Sequence, residues 1–481
     1  MLFNSLHFLY FFVIVSVLYY ALDGKYRWQL LLGASCYFYM AFLPIYILIL
    51  GFTIVVDYFA GIYIEQSSGR RRKVFLIMSL IANIGVLSVF KYYNFLNANL
   101  SFLLNGFGYQ NHIPNLSILL PIGLSFHTFQ AMSYTIEVFR GHQKAERHFG
   151  IYALYVMFYP QLVAGPIERP QNMLHQFYEH HAFDYRGVTD GLKLMAWGLF
   201  KKVVIADRLA STVSWVYDDP TRFVGLPLVF ATVFFAIQIY CDFSGYSDIA
   251  IGSARVLGFK LMRNFDRPYF STSISEFWKR WHISLSTWFR DYLYIPLGGN
   301  RVPLGRLYFN LILTFLISGL WHGANWTYVI WGLLNGIYLV IELMISKPIA
   351  RGISNLGGDR YPGVLHVMKW GITFSLICLA WVFFRAKNVH DAFFIVSHMF
   401  IGIHIKGLFS QLAIAQYDLL IIAGSLAVLF GTEWVQRRRH LLGWLSARPI
   451  YVRWSVYVLL GVFILLFGAY EHNQQFIYFQ F

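Results

Sequence analysis

Charge is scarce in this 481-residue chain. Asp, Glu, Lys and Arg make up 13% of it, about half the share of an average soluble domain. Hydrophobic residues make up 58% and aromatics alone 19%. A water-soluble protein of this length could not hide that much apolar surface, because even large domains expose plenty. A soluble enzyme on one anchor and a disordered tail protein are therefore excluded. Cysteine is also rare. Cys36, Cys241 and Cys378 sit in or at the ends of apolar runs, without C-x-x-C or metal-ligand spacing, and read as packing residues. That excludes a secreted disulfide scaffold. H-E-x-x-H, Walker A and G-x-S-x-G signatures are missing, and no metal site is indicated. No short-period repeat, low-complexity tract or composition break marks off a soluble domain. The first apolar run, 5–22, lacks a basic flank and an A-x-A site, so it reads as a retained span.

What the chain does have is solid apolar runs from end to end. A bilayer core of about 30 Å needs about 20 helical residues. Runs near 5–22, 26–43, 45–64, 74–96, 117–139, 149–164, 223–243, 306–323, 325–344, 364–384, 413–433 and 451–470 qualify, the one at 149–164 being short enough for a tilted or re-entrant piece. The pattern predicts an all-α polytopic membrane protein with about 11–12 spans, since a β-barrel would show weak alternating segments instead. The chain divides into N-terminal helices (1–210), a core (223–345) and C-terminal helices with a tail (364–481), all within one membrane domain.

The net charge of +15 reads as loops that hold cytoplasmic ends inside, and as attraction for an anionic donor, not as a nucleic-acid footprint. Arg70–Lys73, Arg140 to Arg147, Lys347 to Lys369 and Arg437–Arg439 mark cytoplasmic loops, whereas 97–115 has no Lys or Arg and faces out. Alternation then places both termini outside. The region 165–222 resists this bookkeeping: Lys201, Lys202 and Arg208 suggest an inner-surface helix, while its flanks count as outer.

The stretch 244–306 is too polar to span yet rich in aromatics. It carries Arg255, Lys260, Arg263, Arg267, Lys279, Arg280, Arg290, Arg301 and Arg306 on the expected cytoplasmic side, with Trp278, Trp281 and Trp288 between them. Positions 278, 281, 285, 288 and 289 fit one helical face. Such a segment lies at the interface on lipid headgroups or dips into protein-lined space.

Ionisable groups inside this apolar chain are the candidates for chemistry. His322 lies in G-L-W-H-G-A-N-W between two apolar runs, and Gly319 and Gly323 allow a helix break and close approach of another group. A neutral imidazole there can accept a hydroxyl proton at pH 7, or simply satisfy a carbonyl at a helix end. His282 sits among Lys279, Arg280, Arg290 and Arg301, cations suited to phosphates. Asp242 and Asp248, near the inner end of a span, call for cationic partners, arginines being the nearest candidates. The residues alone leave two classes open: a membrane enzyme with a proton-accepting histidine, or a transporter or flippase with His and Asp as relay groups. The second predicts matching broken helices in two halves, and no such pair is visible.

At these residues the sequence resembles the membrane-bound O-acyltransferases (MBOAT), most closely the alginate O-acetyltransferase branch. E-F-W-K-R-W-H-I-S-L-S-T-W-F-R-D-Y-L-Y-I-P-L-G-G-N-R (276–301) and G-L-W-H-G-A-N-W-T-Y-V-I-W-G (319–332) carry the resemblance. P-I-G-L-S-F (121–126), A-G-P-I-E-R (164–169), D-F-S-G-Y-S-D-I-A-I-G (242–252) and N-F-D-R-P-Y (264–269) extend it. It implies helices ringed around a central funnel and tunnel, with re-entrant and interfacial pieces. It makes His322 the catalytic base and His282 the second motif histidine. His127, where relatives carry an aromatic, is given no role.

The reaction implied is transfer of an acyl group, most simply acetyl, from a cytoplasmic thioester such as acetyl-CoA to a hydroxyl of an extracytoplasmic polysaccharide or peptidoglycan. The donor is a substrate, with no permanently bound cofactor. Lys279, Arg280 and Arg290 are candidates for gripping it, or for snorkelling to headgroups. The resemblance further implies a bacterial cytoplasmic membrane, membrane lipids as surroundings and an extracytoplasmic SGNH-type acetyltransferase as partner. The ending F-I-Y-F-Q-F (476–481) is too aromatic for a free outer tail. By resemblance to related exporters of acyl groups, Tyr478 is a candidate acyl carrier.

Overall fold

The computed structural model describes residues 1–117, 121, 123–163, 165–355, 360–437, 441–470 and 476–477. Among the described residues every regular element is helical. This follows from the solvent: in lipid each backbone N–H and C=O must be satisfied within its own segment, and a helix does so. Eight helical stretches among the described residues are long and apolar enough to cross a bilayer. They begin at Tyr46, Gly69, Leu226, Leu304, Trp326, Pro362, Gln416 and Ile450, matching eight of the apolar runs.

The remaining runs form shorter or broken helices, each for a visible reason. Leu6–Ala21 spans 16 residues and Gly24–Met40 has Lys25 and Arg27 in its first turn. Leu124–Arg140 turns buried polar groups such as Gln130, Ser133, Thr135 and Glu137 into protein. The run at 149–164 splits into Phe149–Met157 and Tyr159–Leu162 at Pro160, which cannot continue a preceding helix.

The chain divides into two compact units. The first comprises Met1–Met195 and Tyr246–Met262, the second Ala196–Gly245 and Arg263–Phe481. In the first unit, helices Tyr46–Gln66, Gly69–Leu87 and Leu124–Arg140 meet at a buried carboxylate. Ser79 Oγ donates to Asp57 Oδ1 at 2.6 Å and Asn83 Nδ2 to Asp57 Oδ2 at 2.8 Å. Interhelical hydrogen bonds of this kind contribute about 0.6 kcal/mol each on average in a membrane. Glu168 is buried too, accepting from the Met262 backbone N–H.

The second unit holds both motif histidines. Its outermost helix, Ile450–Phe467, buries only Ile464 and leaves Leu459, Leu465 and Leu466 about two-thirds exposed or more. In water that surface would be a liability; against lipid tails it costs nothing.

Candidate active site

His322 is the last residue of the helix Leu304–His322. That helix forms a tight hairpin with Trp326–Asn355, and glycines set the approach. A Cβ at Gly319 would overlap the Tyr328 carbonyl, and one at Gly332 the Phe315 carbonyl. At Gly336 it would lie 2.9 Å from Ile312 Cα. Small residues at such crossings let the backbones touch. Asn325 Oδ1 then accepts the Thr327 backbone N–H at 3.0 Å, capping the returning helix. The glycines flanking His322 thus provide the helix end and the close approach expected of them, since a Cβ at Gly323 would collide with the Tyr328 ring.

The imidazole of His322 is 4% exposed and enclosed by rings. Trp321 lies 4.9 Å from it, Trp331 5.0 Å edge-on and Phe384 5.3 Å edge-on, centroid to centroid. Trp331 stacks in turn on Trp381 at 5.8 Å. A side chain in this surrounding is shielded from bulk water, a condition under which an acyl group would escape hydrolysis.

His282 occupies a break. The aromatic spacing over 278–289 predicted one continuous helical face, but the chain forms two short helices, Ile274–Arg280 and Ile283–Phe289. Between them His282 has φ 43° and ψ 55°, the left-handed region. A non-glycine residue there is uncommon, though histidine is among the more tolerant types. The break is fixed from outside the segment. The Asn264 carbonyl accepts the Ile283 N–H at 2.9 Å, and Asn264 Oδ1 accepts Ser284 Oγ–H at 2.9 Å. The Asp266 N–H donates to the Arg280 carbonyl at 2.9 Å. The N-F-D segment therefore clamps both sides of His282.

Phe243 meets the His282 ring edge-on at 4.5 Å, Phe265 stacks on it at 6.3 Å, and Trp321 lies at 6.5 Å. Burial pushes the His282 imidazole well below its usual pKa, so it is neutral. The structure thus brings His282 against the same indole, that of Trp321, which the adjacent His322 ring also meets.

The cations beside His282 are mostly engaged. Arg280 pairs with Glu276 at 2.6 Å, Arg290 with Asp291 at 2.7 Å, and Asp266 with both Arg263 and Arg267 at 3.0 and 2.8 Å. Lys279 is exposed. Asp242 is paired, as its burial demands, but with a lysine in place of the nearby arginine expected. Lys202 Nζ lies 2.7 Å from Asp242 Oδ1 and 2.7 Å from Asp207 Oδ1.

Lys202 is 1% exposed, so the inner-surface helix suggested for this region is instead a buried one, with a π-helical turn at Phe200–Ala206. Sequence reasoning missed this cluster. Its signals were a Lys-Lys pair among apolar residues and the demand of Asp242 for a cationic partner, which the sequence did not connect. Among the described residues no group of three His, Cys, Asp or Glu could hold a metal. Tyr478 lies outside the described residues, but its neighbours Phe476 and Ile477 are buried within the second unit.

Residues 138–384 match the membrane-bound O-acyltransferase family, a range that includes both histidines. Over 403 residues the chain is 41% identical to a probable alginate O-acetylase of Pseudomonas aeruginosa, covering 83% of this chain and 75% of that protein. It is 37% identical over 434 residues to a peptidoglycan O-acetyltransferase of Helicobacter pylori, covering 83% and 80%. A teichoic acid D-alanyltransferase of Bacillus subtilis is 25% identical over 294 residues, covering 58% and 72%.

Proposed function

Because the chain belongs to the membrane-bound O-acyltransferase family, we propose that it carries acetyl groups from cytoplasmic acetyl-CoA to an extracytoplasmic polysaccharide or peptidoglycan. The supporting observation is two buried histidines set against one indole, in an aromatic enclosure where a helix ends. The chemistry needs a base that can take a hydroxyl proton while water is kept from the thioester. His322 fits that task by position and surroundings.

The first step is acyl transfer to Tyr478. His322 accepts the phenol proton, the phenolate oxygen attacks the thioester carbonyl, and the C–S bond breaks. The departing thiolate takes the proton back from His322, leaving CoA and an acetyl-tyrosine ester. A phenol has an ordinary pKa of about 10, which makes it a better leaving group than a sugar hydroxyl and so suits a relay. An extracytoplasmic SGNH-type acetyltransferase then collects the acetyl group: its serine oxygen attacks the ester, Tyr478 regains its proton, and the partner passes the acetyl to polymer. His282 shapes the donor end of the path. Lys279 is the exposed cation available to a donor phosphate, while Arg280 and Arg290 would exchange Glu276 and Asp291 for it. The setting is a bacterial cytoplasmic membrane, with the partner on its outer side.

The test is single turnover with labelled acetyl-CoA in proteoliposomes. Wild type releases CoA and places label on the C-terminal peptide. His322→Ala loses about 10²–10⁴-fold in rate, the usual worth of a general base, while remaining inserted. Tyr478→Phe keeps the aromatic bulk and removes only the nucleophile, so its label and polymer acetylation both vanish. Normal polymer acetylation by Tyr478→Phe rules out the relay; absence of CoA release from wild type rules out this donor.

A further inference from the structure

The buried Lys202 cluster and the end of the chain meet at one carboxylate. The Ile477 backbone N–H donates to Asp242 Oδ2 at 2.7 Å, while Asp242 Oδ1 is paired with Lys202 at 2.7 Å. The two oxygens of one side chain are thus divided between a cation and the tail's main chain. Asp207 holds Lys202 from the other side at 2.7 Å, so the cation stays charged and in place.

The same stretch grips the tail further back. After Ile450–Phe467 ends, the Ala469 N–H donates to the Val203 carbonyl at 2.9 Å, and Arg208 Nη2 donates to the Phe467 carbonyl at 2.7 Å. Val203 lies in the π-helical turn, where the altered bonding leaves carbonyls open to outside donors. Beyond, Phe476 is fully buried and meets Phe243 at 5.6 Å, the ring that stands 4.5 Å from His282.

The geometry points to Asp242 as a positioning residue, a charged clasp that holds the C-terminal tail by its backbone beside the aromatic wall of the two histidines. It deepens the function proposed above and rests on that reading, because the next residue after Ile477 is Tyr478. Gripping the main chain suits a carrier segment: it sets the register of the following side chain without occupying that side chain. A carboxylate already neutralised by Lys202 can accept an N–H in a dry interior at far less cost than a lone one.

Ile477 lies in a 3-10 turn, whose φ of about −50° to −70° matches the φ of proline. Ile477→Pro therefore removes the donated N–H while leaving the Asp242–Lys202 pair intact, and Ile477→Ala controls for the lost side chain. In full-length protein, acetyl-Tyr478 formation is expected to fall about tenfold or more in Asp242→Ala, as for loss of a hydrogen bond to a charged acceptor. Ile477→Pro should lose as much and Ile477→Ala less. The double variant Asp242→Ala/Ile477→Pro should be no worse than either single one, since both break the same contact. Asp242→Asn leaves one accepting oxygen for two donors, Lys202 Nζ and the Ile477 N–H, and should therefore fall between wild type and Asp242→Ala. Losses that multiply in the double variant would overturn the clasp and leave Asp242 a mere partner of Lys202.

Amide hydrogen exchange at Ile477, measured in detergent-solubilised full-length protein, separates the clasp from the relay. Faster exchange in Asp242→Ala together with normal acetylation by Tyr478→Phe overturns the relay and keeps the clasp. Unchanged exchange in Asp242→Ala overturns the clasp whatever the activity.

Discussion

At the scale of single residues, His282 carries two burdens that can be measured apart. Its backbone is left-handed at φ 43°, and its ring is part of the wall between Phe243, Phe265 and Trp321. Alanine would remove the ring and also meet the left-handed penalty of roughly 1–2 kcal/mol without histidine's local tolerance. Asparagine accepts the same backbone and lacks the imidazole. We expect His282→Asn to accumulate in membranes like wild type and His282→Ala to show a lower melting temperature. Both should need several-fold more donor for half-maximal rate. A normal donor requirement in His282→Asn would show that this position serves the chain's turn alone. The sequence pointed to His282 and His322 through their motifs, because glycine, tryptophan and histidine in an apolar run already state a local conflict. It could not show that His282 meets Trp321, since that contact joins residues 39 positions apart along the chain (321 − 282).

Whole elements were legible where hydropathy alone decides them, and misread where a distant residue intervenes. The eight long apolar helices follow from runs that no loop could form in lipid. The face drawn over 278–289 was broken because Asn264 captures the backbone at Ile283 and Ser284, a decision periodicity does not contain. The hairpin of Leu304–His322 with Trp326–Asn355 lies between these cases. Its glycines are visible in sequence, but which carbonyls they meet is not. Gly332→Val would drive two methyls against the Phe315 carbonyl. Overpacking of a tight contact typically costs about 1–3 kcal/mol, and here it also displaces the helix end that bears His322. The expected result is a lower melting temperature in detergent and at least a tenfold loss of acetyl transfer. Gly305→Ala, at the other end of the same helix with open space around it, should change neither. Equal activity in the Gly332 variant would mean the hairpin can part without moving His322.

For the molecule as a whole, the sequence established the class of protein and the sign of its charge, but charge bookkeeping failed inside the fold. Lys202 counted toward a cytoplasmic surface and is instead buried between Asp207 and Asp242, so loop counting overstates the cations that face solvent. Those around His282 are different. Arg263, Arg267, Arg280 and Arg290 share the carboxylates of Asp266, Glu276 and Asp291, and Lys279 stands exposed beside them. Four arginines on three acids leave this segment positive before Lys279 is counted, enough to draw in a polyanionic donor. Such attraction is screened by salt, with a Debye length falling from about 10 Å at 0.1 M to about 3 Å at 1 M. For a phosphate-bearing thioester, KM for the donor should therefore rise about three- to tenfold over that range while kcat stays level, because the enclosed histidines are out of reach of mobile ions. Lys279→Gln should flatten this dependence, as removing one exposed cation lowers the field at the approach without touching the aromatic wall. A KM that ignores salt in wild type would point to a donor recognised by its acyl end or by another protein, and would remove these cations from donor capture.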